Sequence, residues 1–86
     1  MKYYTYILYS PTRDRYYIGS SADVEKRLLR HNAGATPSTK SGRPWKIVFT
    51  KEFDSKTDAI KFENYLKRLK SRKLIESLIN ESNSVG

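Results

Sequence analysis

The sequence contains no cysteine, and histidine occurs once, at position 31. The lack of cysteine excludes disulfide bonds, thiolate metal sites and a cysteine nucleophile. There is also no apolar run of the length that a secretion signal or a membrane span requires. We therefore expect a soluble, cytoplasmic protein with no membrane partner.

Acidic residues are few: 9 Asp and Glu stand against 17 Lys and Arg, which gives a net charge of +8. Such an excess of positive charge predicts a polyanionic partner, above all a nucleic acid. A ribosome-associated or merely basic protein is the alternative. The 86 residues suffice for one small domain, so any functional site must be built on the core elements themselves.

The start of the chain has the composition of a β-hairpin. Residues 3–9 are strand-forming throughout, and residues 10–15 combine serine, proline and aspartate as turns do. A second short strand follows at residues 16–19. The pattern predicts two antiparallel strands with the turn at Pro11 and Thr12.

Beyond the hairpin, helical and strand patterns alternate. The predicted elements are a helix over 24–32, a breaker-rich loop over 33–44, a strand over 45–53, a helix over 56–69 and a short last helix around 74–79. Trp45, Ile47, Phe49 and Phe53 recur at even spacing, which predicts a strand with one buried face. Ser71 is expected to separate the last two helices.

These elements predict an α+β fold around a three-stranded sheet, in the order β-β-α-β-α-α. We expect one folded domain over residues 1–80 and a flexible tail over residues 81–86. The sequence shows no internal repeat and no linker.

Two tyrosines and a glycine stand out in the hairpin. With the turn at Pro11 and Thr12, Tyr6 lies opposite Tyr17 and the two phenols stand side by side. Ordinary aromatic packing is the alternative interpretation. Gly19 lacks a side chain, so another group can approach its backbone closely, unless it simply ends the strand.

Arg27 and His31 are four residues apart and share one face of the first helix. An arginine can bind a phosphate, and a histidine beside it can transfer a proton. A solvated surface histidine is the alternative.

Glu63 is the one acid between Lys61 and Lys73. It is a candidate ligand for Mg²⁺, which prefers oxygen ligands and takes one or two carboxylates. The alternative is a surface ion pair with Lys67, four residues on.

The basic residues after Glu63 are too dense for solubility alone and suit contacts to DNA phosphates, although an exposed solvated face remains the alternative. The predicted DNA-binding residues are Lys67, Arg68, Lys70, Arg72, Lys73 and Arg43.

The tripeptide Tyr17-Ile18-Gly19, with Tyr6 upstream, resembles the GIY-YIG nuclease superfamily. The likeness extends through Arg27 and His31 to the helical Glu63, and it covers roughly residues 3–79. It is strongest toward small single-domain bacterial members that are similar to the nuclease domain of the bacterial excinuclease. The first motif departs from the family, because Tyr4 and Thr5 replace its glycine and isoleucine.

The resemblance implies a three-stranded antiparallel sheet flanked by helices and a metal-dependent endonuclease that hydrolyses DNA phosphodiester bonds in repair or recombination. Glu63 would hold Mg²⁺ or Mn²⁺ beside the scissile phosphate. Tyr17 would be the general base or would position the attacking water, with Tyr6 as assistant or alternative base. Arg27 would stabilise the transition state, and His31 would relay a proton or orient Tyr6.

A phenol is a weak base at neutral pH, so the implied chemistry requires cations near the tyrosine that favour the phenolate. Many members also carry an asparagine after the metal-binding glutamate. Here Asn80 and Asn64 are the two candidates, and neither is assigned.

Two other functions remain open. The first is a catalytically weak or inactive DNA-binding module that acts with a protein partner. The second is an RNA-associated protein in which Tyr3, Tyr9 and Tyr16, on the sheet face opposite Tyr6 and Tyr17, stack on bases.

Overall fold

A computed structural model of the chain describes residues 2–83. The elements are β1 (Tyr3–Ser10), β2 (Arg15–Ser21), α1 (Val24–Asn32), α2 (Pro37–Lys40), β3 (Lys46–Phe53), α3 (Lys56–Leu69) and α4 (Arg72–Asn83). All strands pair antiparallel, in the order β2-β1-β3, so that the first strand of the chain is the central strand of the sheet. The predicted α+β fold is confirmed, with α2 as an additional short helix.

The hairpin turn differs from the prediction. Residues 11–14 form a four-residue turn, and the Ser10 hydroxyl accepts a hydrogen bond from the Arg13 amide at 3.1 Å. The centre of the turn therefore lies one residue later than Pro11-Thr12, which moves every cross-strand partner by two positions. Tyr6 pairs with Gly19, and the predicted pairing of Tyr6 with Tyr17 is wrong.

Helices cover both faces of the sheet. On one face α3 and α4 pack on Ile7 and Ile18, with Leu66 and Ile75 completing that core. On the other face a second core joins Tyr6, Leu8 and Trp45 to partly buried residues of α1. The two phenols of interest lie in this second core.

A β-bulge in β3 explains why Ile47 and Phe49, which are two residues apart, pack in cores on opposite faces of the sheet. Ile7 pairs with Phe49 and Leu8 pairs with Ile47, so Val48 is an extra residue. Ile47 packs with the Tyr6 core, whereas Val48 and Phe49 pack with the core on the opposite face. The prediction that Trp45, Ile47 and Phe49 share one buried face is therefore wrong, because the bulge reverses the alternation of side chains.

Capping residues set the helix boundaries. Asp23 caps α1 and accepts from the Lys26 amide, and Ser55 caps α3 and accepts from the Asp58 amide. Helix α3 ends where Lys70 adopts a left-handed conformation (φ 47°), and the Ser71 hydroxyl then accepts from the Leu74 amide. The predicted break at Ser71 is confirmed.

Two regions predicted to be irregular are helical. Helix α2 lies inside the predicted loop over residues 33–44, with Pro37 in its first turn. Helix α4 extends to Asn83 and so includes the first residues of the expected tail over 81–86, of which residues 84–86 lie outside the described part. Within residues 2–83, no helix is long and apolar enough to cross a membrane.

Candidate active site

Gly19 makes room for the phenol of Tyr6. Tyr6 lies on β1 and is 2% exposed, and its ring crosses the neighbouring strand at Gly19. A Cβ atom built on Gly19 would lie 2.5 Å from the Tyr6 hydroxyl oxygen and 2.6 Å from Cζ. Gly19 lies inside β2 and does not end the strand. The Tyr6 phenol fills the space that a side chain at position 19 would occupy, so the interpretation of a close approach is the correct one.

A buried hydrogen-bonded row begins at this phenol. The Tyr6 hydroxyl lies 3.2 Å from His31 Nε2, and His31 Nδ1 lies 2.8 Å from the Thr39 hydroxyl oxygen. His31 is 1% exposed, and Thr39 is fully buried. The sole histidine is therefore held from both sides, and the alternative of a solvated surface histidine is wrong.

Tyr17 packs beside this row. Its ring meets the His31 ring edge-on at a centroid distance of 4.8 Å and lies 6.4 Å from the Tyr6 ring. The shifted register makes Tyr6 and Tyr17 diagonal neighbours on one face, which still allows their rings to meet. Tyr17 is half-buried and so retains access to water.

Burial keeps both buried groups of the row neutral at neutral pH. Desolvation, followed by repulsion from Tyr17, raises the pKa of Tyr6 to about 12, although the charge of Arg27 opposes the rise. Desolvation also lowers the pKa of His31, and the nearby charges of Arg27 and Arg30 lower it further. The expectation that cations favour a phenolate is not met at Tyr6, because burial outweighs Arg27.

Arg27 is half-buried on α1, one turn before His31. Its charge affects the pKa of both Tyr6 and His31, so it lies at the same end of the sheet as the hydrogen-bonded row. A partly desolvated guanidinium near the Tyr6 phenol and the His31 imidazole suits the binding of an anion such as a phosphodiester.

Glu63 lies on the other side of strand β2. Its side chain is 16% exposed and accepts hydrogen bonds from the Ser20 hydroxyl at 2.6 Å and from Lys67 Nζ at 2.5 Å. Ser20 follows Gly19 and points to the opposite face, toward α3. The ion pair with Lys67 is therefore present, and the Glu63 charge still reaches Tyr6, whose pKa it raises.

Glu63 is the carboxylate of this region that could hold Mg²⁺ or Mn²⁺. Over residues 2–83 no group of three or more His, Asp or Glu side chains lies close enough together to hold a metal ion. A single carboxylate beside a hydroxyl suits Mg²⁺, which keeps several waters and takes further oxygens from a phosphate substrate. Such an ion would compete with Lys67 for the carboxylate.

The predicted DNA-binding residues are exposed but not equivalent. Arg72 binds the carboxylate of Asp14 at 2.6 Å and that of Glu76 at 3.2 Å, and it also lies over the Tyr16 ring. It therefore links α4 to the hairpin turn and is less available to a phosphate than its neighbours. Arg43 donates to the Lys40 carbonyl from the α2 region, far along the chain from the other cations. The four others are Lys67, Arg68, Lys70 and Lys73, all exposed at the junction of α3 and α4.

A small recess of about 50 Å³ adjoins Tyr17 between the hairpin turn and α2. Arg13 and Arg15 line it, together with Ser38 and Ser41. Neither arginine was a predicted site residue, because a turn sequence gives no sign of what packs beside it.

The tyrosines on the opposite sheet face are engaged within the fold. Tyr9 and Tyr16 pair across the strands at a centroid distance of 5.1 Å. The Tyr9 hydroxyl donates to Asp14, and the Tyr16 hydroxyl donates to Glu76. Stacking of these rings on RNA bases would require these contacts to break.

Sequence reasoning missed Thr39 and the residues that hold it. Trp45 Nε1 donates to the Thr39 carbonyl at 2.7 Å, and the Trp45 ring packs on Gly42 where a Cβ would not fit. Asn32, the last residue of α1, binds both the amide and the carbonyl of Trp45. The one sign of this arrangement in the sequence was Trp45, a large side chain directly after a stretch of mostly small residues. Asn64 and Asn80 are both exposed, on α3 and α4.

Comparisons with known proteins show which family the chain resembles. A family model described as the GIY-YIG catalytic domain matches residues 2–76. The chain is 39% identical over 79 residues to the UPF0213 protein YsiG of Lactococcus lactis, which covers 91% of this chain and 75% of that protein. It is also 39% identical over 83 residues to the structure-specific endonuclease subunit SLX1 of Kluyveromyces lactis, covering 87% of this chain but 29% of that protein.

A solved structure agrees with the fold. The solution NMR structure of the UPF0213 protein BH0048 from Bacillus halodurans matches with a TM-score of 0.60 and 32% identity, covering 99% of this chain and 89% of that one. The resemblance predicted from the tyrosines, Gly19, Arg27, His31 and Glu63 is confirmed at the level of the family.

Proposed function

The chain belongs to the GIY-YIG catalytic domain family, and on that premise we propose that it is a metal-dependent endonuclease that hydrolyses DNA phosphodiester bonds. The observation that carries the proposal is the row from Gly19 through Tyr6 to His31, with Tyr17 and Arg27 beside it. Burial of an imidazole is costly unless it is hydrogen-bonded, and here a hydroxyl group lies at each of its two ring nitrogens. DNA repair or recombination is the role that we assign to the activity.

On the α1 side of β2, Arg27 binds the scissile phosphate and stabilises its growing negative charge. Tyr17, which retains access to water, positions the attacking water and, once it has released its own proton to solvent, takes the proton of that water as the phenolate. Tyr6 is neutral at neutral pH, so it acts as a hydrogen-bond donor to His31 and assists Tyr17. The imidazole of His31 can accept that hydrogen bond because its lowered pKa keeps it neutral.

On the α3 side, Glu63 is the residue that would hold one Mg²⁺ or Mn²⁺ ion, with Ser20 fixing the carboxylate. The ion, when bound, supplies charge stabilisation to the phosphate and to the leaving 3′ oxygen. Lys67 neutralises Glu63 in the absence of the ion and becomes free for a backbone phosphate when the ion binds.

The exposed cations at the α3–α4 junction and the arginines of the recess beside Tyr17 support DNA as the substrate. They suit backbone contacts, which position a duplex without reading its sequence. A relative is described as a subunit of a structure-specific endonuclease, and we propose that this small chain likewise acts with a protein partner that selects the target.

The test is nicking of supercoiled plasmid and of a branched duplex in Mg²⁺, Mn²⁺ or chelator. We expect metal-dependent nicking that Glu63→Ala abolishes while DNA binding is retained. Glu52→Ala is the matched control, because Glu52 is an exposed carboxylate on β3 whose partners are Lys2 and the Tyr4 hydroxyl rather than Tyr6 or Tyr17. Equal nicking by wild type and Glu63→Ala would refute the assignment.

A catalytically weak DNA-binding module that works with a partner is the second candidate. Two observations favour it. The raised pKa of Tyr6 keeps this phenol protonated and unable to act as a base, and Lys67 occupies the carboxylate of Glu63. It predicts salt-sensitive binding without cleavage of any substrate by the isolated chain. Cleavage that depends on Glu63 would eliminate it.

A further inference from the structure

Thr39 closes the buried row at its far end, and nothing in the tyrosine motif or in the first helix accounts for it. It lies on α2, a helix of one turn, and is fully buried. Its hydroxyl oxygen lies 2.8 Å from His31 Nδ1 and 3.2 Å from the Thr36 carbonyl oxygen. A hydroxyl has one proton to donate, so these two contacts constrain each other.

The direction of each hydrogen bond follows from the ends of the row. Tyr6 is buried, and among residues 2–83 its hydroxyl has one hydrogen-bond partner, His31 Nε2. Its proton would be unsatisfied unless it points to that nitrogen, since a buried donor without an acceptor is costly. Nε2 is then unprotonated, so a neutral imidazole carries its proton on Nδ1.

The other end agrees. A protonated Nδ1 needs an acceptor, and the Thr39 hydroxyl oxygen provides one while its own proton points to the Thr36 carbonyl. Each group in the row donates to the next, from Tyr6 to His31 to Thr39. The reverse direction would leave the Tyr6 proton buried without an acceptor.

We propose that Thr39 is a positioning residue that fixes His31 as the Nδ1–H tautomer, with the bare Nε2 nitrogen directed at the Tyr6 hydroxyl. The proposal rests on the proposed function only for its catalytic consequence, because the tautomer itself is a property of the folded chain. Thr39 does not touch the reacting atoms and acts through His31.

The anchoring of Thr39 supports a positioning role. Trp45 donates to its carbonyl, and Trp45 is itself held by both polar atoms of Asn32 at the end of α1. Since His31 precedes Asn32, the hydroxyl and the imidazole are fixed to the same helix end. Rotation of the imidazole would break contacts on both sides.

The test uses the fact that His31 is the only histidine, so one imidazole contributes to the spectrum. Nitrogen-15 correlation through the carbon-bound ring protons at pH 7.5 reports which ring nitrogen carries the proton. We expect Nδ1–H in the wild type and in Thr39→Ser. In Thr39→Val one buried proton lacks an acceptor in either tautomer, that on His31 Nδ1 or that of the Tyr6 hydroxyl, so a mixture containing Nε2–H should replace the single Nδ1–H form. Thr36→Val is the matched control, because it makes the same change three residues away and leaves the Thr36 carbonyl in place.

Plasmid nicking provides the second measurement. Thr39→Val is expected to lower kcat by about 10–100-fold, the effect typical of lost partners behind a functional histidine, with little change in KM for DNA. Thr39→Ser should restore kcat. If the chain has no nuclease activity, the proposed function fails while the spectrum still decides the tautomer.

Two results would overturn the proposal: an Nε2–H tautomer in the wild type, or an unchanged Nδ1–H tautomer in a folded Thr39→Val. Should Thr39→Val fail to fold, Thr39→Ala takes its place with the same expected result, and an Nε2–H tautomer in the wild type would still overturn the proposal.

Discussion

Replacement of Gly19 by alanine gives the sharpest test of how the site is built. The backbone of Gly19 is an ordinary strand conformation, so alanine causes no backbone strain there. The new Cβ would, however, lie 2.5 Å from the Tyr6 hydroxyl oxygen, well inside the 3.4 Å at which ordinary contact begins. The Tyr6 ring, 2% exposed, has no open space into which to move.

The magnitude follows from two opposing effects. Overpacking of a buried site costs about 1–3 kcal/mol. Alanine in a strand recovers about 0.5–1 kcal/mol relative to glycine, because it loses less backbone entropy. We therefore expect a net loss of about 0–2.5 kcal/mol in the free energy of unfolding. In a domain of this size that lowers Tm by up to about 20 °C.

The assay is thermal and urea unfolding of a double-mutant cycle with Tyr6→Leu, which removes the hydroxyl and Cζ atoms that meet the new methyl group. In that background Gly19→Ala should be neutral or stabilising by about 0.5–1 kcal/mol. Equal destabilisation by Gly19→Ala in both backgrounds would refute the reasoning, because the cost would then not arise at Tyr6. Nicking should fall by up to about 100-fold in the single variant, since a displacement of about 1 Å in a catalytic group has that effect.

Three further predictions follow from other contacts. Arg72→Met should lower Tm by removing the link between α4 and Asp14, and this loss of Tm should be smaller in 1 M salt. DNA binding at low salt should change little, and a large loss of binding would contradict a structural role for Arg72. The lowered pKa of His31 means that the unfolded chain binds the proton more readily than the folded chain does. The free energy of unfolding should therefore be constant above about pH 6.5, decline as the pH falls through the unfolded pKa and level off below the folded pKa. Thermal unfolding from pH 7.5 to 5 tests this, and His31→Gln should lack the added slope. Trp45→Phe should cost about 1–3 kcal/mol, because the buried Thr39 carbonyl loses its indole donor, and a urea titration with no shift in midpoint would argue against that role.

Local patterns in the sequence predicted the elements well. The strand-rich start, the cap at Ser55 and the break at Ser71 each depend on neighbours within a few residues, so composition alone reveals them. The motif residues were found from local sequence as well, because Tyr17-Ile18-Gly19 is a tripeptide, Arg27 and His31 are one helical turn apart, and Glu63 is the one acid in a basic stretch.

Long-range geometry could not be predicted in this way. The cross-strand partners depend on the length and position of the turn. Because the turn spans residues 11–14, Gly19 lies opposite Tyr6, where Tyr17 was expected. The bulge at Val48 depends on two cores that compete for one strand. Thr39 is recognisable only once Trp45 has fixed α2 under His31, because its own sequence context resembles any polar loop.

The central position of β1 has a consequence for synthesis. The first strand to leave the ribosome gains β2 at once, but its other edge stays unpaired until residues 46–53 emerge. Until then the nascent hairpin exposes an unpaired, aromatic edge of the kind that promotes aggregation. Thr5 must wait still longer for the Ala59 carbonyl, and Ser20 for Glu63. A chain that stalls before residue 63 therefore carries the tyrosine motif without Glu63, and under the proposed mechanism it would lack the residue that holds the metal ion.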